Sequence, residues 1–449
     1  MSNRVARLFN VRRDELAPVL LAALFFFCIL TALMVLRPAR DALGMQRGIE
    51  TVRWLFMGTA LVTLLANPVF GLLVSRLPRL QFISATYAFF ALSLLGFYLL
   101  MVLAPEAVGI ASGQVFYVWF SVFNLFVTMV FWALMADRFT LEQSRRFFAL
   151  IAVGGTLGAI FGPWLASVLA QPLGTPALLL VAIGFLMLAV LAAAAVARTQ
   201  PAHVGDGRGA TLVADRAIIG GSAWEGFRAV FRSRYLLGIA GYVVILTIMA
   251  TFLYFTRLQM VAALGDDIDL RTATFARIDL ITQAATLLLQ AVIAGHLMKR
   301  LGVHVALALL PVTVALGFIG LALVGSLAAL IAFEATFRAI QRAITRPARE
   351  TLYTVTSRED KYKSKAFIDT FVYRGGDVAG AQVEGLLGRL GMGLAALASV
   401  AVPLALAWAA LGIWLGRTQR GMAARSWPDD AGPRPHDCAN RVPPQQHVP

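Results

Sequence analysis

Glu334, Arg338, Arg342 and Arg346 stand four residues apart, and Arg349 follows them. Side chains at i and i+4 share a helical face. A helix here therefore raises one acid and three arginines in a single stripe. The stretch opens apolar, from Ser326 to Phe333, as a helix in lipid does. A charged side chain at the bilayer centre costs about 2.5–3.5 kcal/mol on insertion scales, so such a stripe must look into protein or water. Guanidinium offers donors and no acceptor, in a fork that matches carboxylate and phosphate oxygens. The chemistry on offer is the binding of an anion. About 18 Å of helix separates Ser326 from Arg338, which puts Arg338 a little past the midplane and Arg346 and Arg349 near the surface. Arg338, Arg342 and Arg346 are the substrate-binding candidates. The plainer reading has Glu334 neutralise Arg338 while the lower arginines, Arg349 above all, anchor the helix among headgroups.

Other charges interrupt apolar stretches. A run from Leu16 to Leu36 ends in Arg37-Pro38-Ala39-Arg40-Asp41. Proline removes a backbone donor and kinks a helix; Arg40 and Asp41 then either bind solute and gate the outer side, or simply cap the span. Arg257, Arg277 and Asp279 are further charges near outer helix ends, suited to a gate of ion pairs. Arg374 and Asp377 sit three residues apart in the eleventh predicted span. Asp377 either carries a coupling proton or pairs with Arg374. The expected site thus has Arg40, Arg338, Arg342 and Arg346 on the substrate, with Arg37, Asp41, Glu334, Arg374 and Asp377 in coupling or gating. No HExxH, P-loop or GxSxG pattern occurs, so the reading is of a non-enzyme with no cofactor and no metal.

The elements that position these residues follow from composition. Of 449 residues, 59% are hydrophobic and 14% charged, more apolar surface than a soluble fold of this size hides. The formal net charge of +15 is read as Arg and Lys on cytoplasmic loops setting topology, with no nucleic-acid partner. Cys28 lies in an apolar run and Cys438 in a polar tail, and the five histidines share no metal spacing. The Leu16–Leu36 run is too long for a signal-peptide core and is read as a retained first span. Twelve spans of about 20 residues each fit the apolar stretches. Short segments on the side of the termini hold about twice as many Lys and Arg as those opposite, which predicts cytoplasmic termini.

An internal repeat supports the count. Ile29-Leu30-Thr31 returns as Ile245-Leu246-Thr247, Gly71-x4-Arg76-Leu77 as Gly295-x4-Arg300-Leu301, and Gly154-Gly155 as Gly375-Gly376, each about half a chain later. Two six-helix halves in parallel repeat resemble major facilitator transporters. The fold class read here is an all-α polytopic membrane protein, with halves at 1–197 and 235–420, a central loop at 198–234 and a disordered tail at 421–449. In the loop, Trp224, Phe227, Val230 and Phe231 share a helical face flanked by Arg228, Arg232 and Arg234. This is either an interfacial helix or a lead-in to the seventh span. Gly154, Gly158 and Gly162, like Gly376 and Gly380, keep the four-residue spacing that lets helices approach closely.

Thr345-Arg-Pro-Ala-Arg-Glu-Thr-Leu-Tyr353 and Asp360-Lys-Tyr-Lys-Ser-Lys-Ala-Phe-Ile-Asp369 resemble the ATP/ADP translocase family. Leu36-Arg-Pro-Ala-Arg-Asp41 looks like that family's first-span motif, and Glu142 to Phe147 its loop after the fourth span. The resemblance implies exchange of ATP, ADP or related nucleotides by alternating access. Arg40 stands where the family has a lysine. Phe120 and Thr251 stand at positions acidic in the family, and Asp377 at one that is a lysine, so the resemblance equally implies a bacterial relative with another anionic substrate.

The function expected from the sequence is a secondary active transporter of an organic or phosphorylated anion, with a nucleotide as the best single guess. The expected setting is the bacterial inner membrane, and the expected assembly a monomer whose partners are the solute and the lipid bilayer. Alternatives are an exporter of lipophilic compounds and a non-transporting membrane sensor or scaffold.

Overall fold

The computed structural model describes residues 13–76, 79–199, 223–293, 297–391 and 393–425. Arg4, Arg7 and Arg12, most of the central loop and the tail from Ser426 lie outside the described residues.

Long apolar stretches without water must satisfy their own backbone groups, and helices do this within one segment. Six helices come first: α1 (Arg13–Gly44), α2 (Ile49–Arg76), α3 (Arg79–Leu103), α4 (Ala107–Arg138), α5 (Leu141–Leu173) and α6 (Ala177–Arg198). A short α7 (Ala223–Arg232) precedes α8 (Arg234–Ala262), α9 (Ile268–Ile293) and α10 (Leu297–Val324). The tenth rod is α11 (Leu327–Ile340), a π-helical turn (Gln341–Thr345) and α12 (Arg346–Leu352). The eleventh is α13 (Arg358–Phe367), a second π turn (Ile368–Val372) and α14 (Tyr373–Arg389), and α15 (Leu394–Arg425) is the twelfth. Nine helices among the described residues are long and apolar enough to cross a membrane. The other three rods, α9, α11–α12 and α13–α14, are richer in charged residues. The protein is an all-α polytopic membrane protein.

Local signals set the ends. Gly325 takes φ +61°, a conformation that favours glycine, and Ser326 caps α11 by accepting from the Ala329 amide at 3.2 Å. Thr140 and Gln143 form a reciprocal capping box at the start of α5. That helix takes in Glu142 to Phe147, which the family resemblance reads as a loop. Within each half the connections are short, so successive rods alternate in direction. Below, "terminal side" is the end where α1 begins, and "far side" the end where it finishes.

Two packed cores result. In the first six helices, Trp119 of α4 stacks on Phe123 at 5.1 Å and meets Phe90 of α3 edge-on at 5.5 Å. In the last six, Trp408 of α15 lies 5.2 Å from Tyr242 of α8, whose hydroxyl donates to the Leu307 carbonyl at 2.8 Å. The repeat segments meet equivalently in each core. Gly154 and Gly158 press α5 onto α1, and a Cβ at either would overlap the carbonyl oxygen of Ala23 or Phe27. Gly376 and Gly380 bring α14 against Thr247 and Ile248 of α8 in the same way.

The halves join on the far side through a buried charge hub. Arg257 of α8 is 1% exposed. Its guanidinium reaches Asp279 of α9 at 2.8 Å, Glu334 of α11 at 3.2 Å and Asp41 of α1 at 3.6 Å. Each of these acids is shared with one further arginine: Arg37 with Asp279 at 3.7 Å, Arg40 with Asp41, and Arg338 with Glu334. Four arginines and three acids alternate, leaving one net positive charge. Arg277, expected beside Arg257 and Asp279, is instead exposed on α9, because two residues along a helix are about 200° of rotation, which puts it on the face opposite Asp279. A second layer lies farther out. Arg53 of α2 donates to Glu384 of α14 at 2.9 and 3.1 Å, and Gln259 of α8 donates to the same carboxylate at 2.6 Å. Asp269 of α9 accepts from the backbone and hydroxyl of Thr175 at 2.6 and 2.7 Å.

Removing one partner of a buried ion network costs about 3–5 kcal/mol because the others stay buried and unpaired. Arg257→Met, which leaves three carboxylates without their shared partner, is expected to lower the thermal midpoint of detergent-purified protein sharply; an unchanged midpoint refutes the hub's role. Gly158→Ala, which drives a methyl group into a backbone oxygen, is expected to cost about 1–3 kcal/mol in the same measurement. Gly96→Ala, with open space around it, is expected to be near neutral.

Candidate functional site

Three rods of the N-terminal half and two of the C-terminal half leave space between them. A cavity of about 320 Å³ is lined by α1, α2, α4, α8 and α14. Both halves supply its charges: Arg37 and Arg40 from α1, Arg374 and Asp377 from α14. The hub fixes the first two. Asp41 accepts from Arg40 Nε at 2.9 Å, so that guanidinium lies across Tyr117 (4.8 Å) and Phe120 (5.2 Å) while still bordering the cavity. Tyr254 donates to Asp41 at 2.9 Å and bonds Tyr117 at 3.0 Å, closing the cavity's far wall with a link across the halves. Arg374 pairs with Asp377 at 3.4 Å. Thr59, Ser121, Asn124 and Thr251 add neutral polar groups, and Leu33, Met34 and Phe56 apolar ones. Phe120 and Thr251, the positions where the resembled family is acidic, both line this wall. The cavity therefore carries three cations against one acid, with adaptable hydroxyl and amide groups around them.

A second cavity of about 550 Å³ lies towards the terminal side, built by α8 and the tenth and eleventh rods. Arg342, Arg346, Arg349, Lys365 and Arg374 line it, with Glu350 and Asp369. Arg374 borders both cavities.

The arginine stripe is thus divided. The π turn at Gln341–Thr345 inserts one residue, which turns the following face by about 100° relative to a continuous α-helix. Glu334 and Arg338 end in the hub, and Arg338 lines neither cavity. Arg342 is held by the side-chain oxygen of Gln283 at 3.0 Å, and it lines the second cavity with Arg346 and Arg349. Arg349 pairs with Asp369 at 3.3 Å. Arg338 and Arg342, expected to act on one anion, therefore belong to different environments. Of the remaining expected residues, Arg37, Arg40, Arg374 and Asp377 meet at the central cavity, and Asp41 supports Arg40 from behind.

The helix in the central loop serves protein contact. Val230 of α7 is buried, and Phe227 meets Phe367 of α13 at 5.8 Å, while Phe231 stays exposed. Sequence reasoning did not find Tyr117, Tyr254 or the Arg53–Glu384 pair. Arg53 and Glu384 carried a readable signal, as lone charges in apolar spans; the tyrosines carried none, since buried tyrosines are common.

A family model described as Major Facilitator Superfamily matches residues 19–340. Among solved structures, a POT family transporter in complex with a thioalcohol-conjugated peptide aligns with a TM-score of 0.60 at 11% identity, covering 90% of this chain and 96% of that one. The nucleoside transporter NupG aligns with a TM-score of 0.59 at 12% identity, covering 90% and 99%. At these identities the likeness speaks to the fold. No curated protein sequence matches the chain. The family match spans most of the chain's length, and the protein accordingly belongs to the Major Facilitator Superfamily of membrane transporters.

Proposed function

We propose that this secondary transporter carries an organic or phosphorylated anion by alternating access, binding it in the cavity between the halves. The observation that carries this reading is the convergence of Arg37, Arg40 and Arg374 on one cavity, from both halves, against the single acid Asp377. An anion bridging Arg40 and Arg374 touches α1 and α14 at once, so its charge rewards closure of one half on the other. Arg374 must then trade its contact with Asp377 for the solute, which leaves Asp377 without its cation and ready to take a proton or to repel. This gives Asp377 a coupling role and Arg374 a gating one. Asp41, Glu334 and Arg338 act through the hub, holding Arg40 and Arg37 towards the solute.

A nucleotide suits the aromatic wall of Tyr117, Phe120 and Tyr254 as well as the arginines. In this reading the protein sits in a bacterial inner membrane as a monomer with both termini in the cytoplasm.

The substrate class is open to a direct screen. Nucleotides, other phosphorylated metabolites and dicarboxylates are each added to purified protein, and the solute that raises the thermal midpoint most is carried into proteoliposome uptake. A hydrogen bond to a charged group is worth about 1.5–3 kcal/mol, and each 1.4 kcal/mol is about tenfold. Arg40→Gln and Arg374→Gln are therefore each expected to lower uptake by about tenfold or more in protein that remains monodisperse. Undiminished uptake in the double variant overturns the assignment, and a screen in which only cations or neutral lipophiles stabilise the protein does so too.

A further inference from the structure

The second cavity has features that transport through the central cavity alone does not require. Its wall holds five cations and two acids, and both acids are already engaged: Asp369 with Arg349 at 3.3 Å, Glu350 with Lys365 at 2.5 Å. Arg342 and Arg346 form no ion pair among the described residues, and both are exposed to the cavity side of their rod. The π turn that contains Arg342 and precedes Arg346 has a further consequence. A threonine in an α-helix commonly returns its hydroxyl to the carbonyl four residues back, as Thr336 does at 2.8 Å. Thr345, the last residue of the π turn, is 1% exposed, and its hydroxyl has no hydrogen-bond partner. A buried hydroxyl left unpaired costs free energy, and π turns that carry such costs mark functional sites. The second π turn, Ile368–Val372, borders the same cavity through Asp369. All of the lining residues except Leu246 lie beyond residue 340, where the family match ends.

The geometry points to a second anion site in this cavity, taking a multivalent oxyanion on Arg342, Arg346 and the Thr345 hydroxyl. Arg342 and Arg346 offer only donors and the Thr345 hydroxyl can donate as well, so the ligand is rich in acceptors. The excess of three positive charges favours a ligand carrying more than one negative charge. Its size admits a diphosphate. Because Arg374 lines both cavities, it is the point at which an anion passes from one to the other. The inference rests on the reading that the transported solute is an anion, and it adds a second stop on the solute's path within the C-terminal half.

Inorganic pyrophosphate is the probe, and its binding to detergent-purified full-length protein is measured by calorimetry in an Arg40→Gln background, where the central cavity is weakened. That protein is expected to bind pyrophosphate still. Adding Arg342→Gln and Arg346→Gln is expected to weaken binding by about tenfold or more, and the corresponding lysine pair to restore most of it. Thr345→Val alone is expected to weaken binding without lowering the ligand-free thermal midpoint, an effect that a purely structural hydroxyl does not give. Should the glutamine pair fail to fold, the lysine pair and Thr345→Val carry the test. No pyrophosphate binding in the Arg40→Gln protein, or binding indifferent to Arg342, Arg346 and Thr345, overturns the second site. Neither result touches the central-cavity assignment, which stands or falls on uptake by the Arg40 and Arg374 variants.

Discussion

Arg257 is the constraint around which the halves are arranged. A guanidinium that is 1% exposed has lost its hydration and is tolerable only among carboxylates. Asp41, Asp279 and Glu334 supply them, from three different rods and from both halves. Three acids around one arginine overcompensate it, and Arg37, Arg40 and Arg338, one per acid, bring the hub back to a single net positive charge. The far-side closure, the direction in which Arg37 and Arg40 point and the fate of the upper arginine ladder all follow from satisfying this one buried charge.

That arrangement separates two tasks the ladder seemed to combine. Its upper part, Glu334 and Arg338, is structural: it closes the hub and gives α11 a fixed contact with α8. Its lower part, from the π turn onward, faces a cavity in which acids and bases are not balanced. The turn matters because one inserted residue changes which face the later arginines occupy. Charge that would be too costly against lipid is thereby shared between a neutralised joint and a solvated cavity wall. Arg374, bordering both cavities, connects the second to the space between the halves.

Small residues make the halves stiff enough to hold such a joint. Gly154 and Gly158 on α5 and Gly376 and Gly380 on α14 bring whole helices to backbone contact. Helices packed that closely move as units, which is what alternating exposure of a central cavity demands. The short loop helix α7 adds a further tie through the contact of Phe227 with Phe367 at the end of α13.

Much of this was legible in the chain itself. Apolar stretches of spanning length fix the number of rods, because lipid leaves the backbone no alternative to helix. The spacing of Gly154, Gly158 and Gly162 announces close packing, and the returning Ile-Leu-Thr and Gly-Gly segments announce two similar halves. Charges in apolar stretches mark where protein or water must replace lipid, and Arg40, Arg342, Arg374 and Asp377 were visible for that reason. What the sequence could not give was the partner of each charge. Asp41 and Arg257 stand far apart in the chain and meet only because the far-side ends of α1 and α8 converge. Arg338 and Arg342 look equivalent in a helical repeat and are divided by a turn that no residue type announces. Tyr117 and Tyr254 join the site through a contact between halves. Insertion into lipid is decided locally, span by span, from side-chain chemistry. Which buried charge neutralises which, and which is left free for a solute, is decided only when the rods are packed, because an ion pair depends on distance in space and not along the chain.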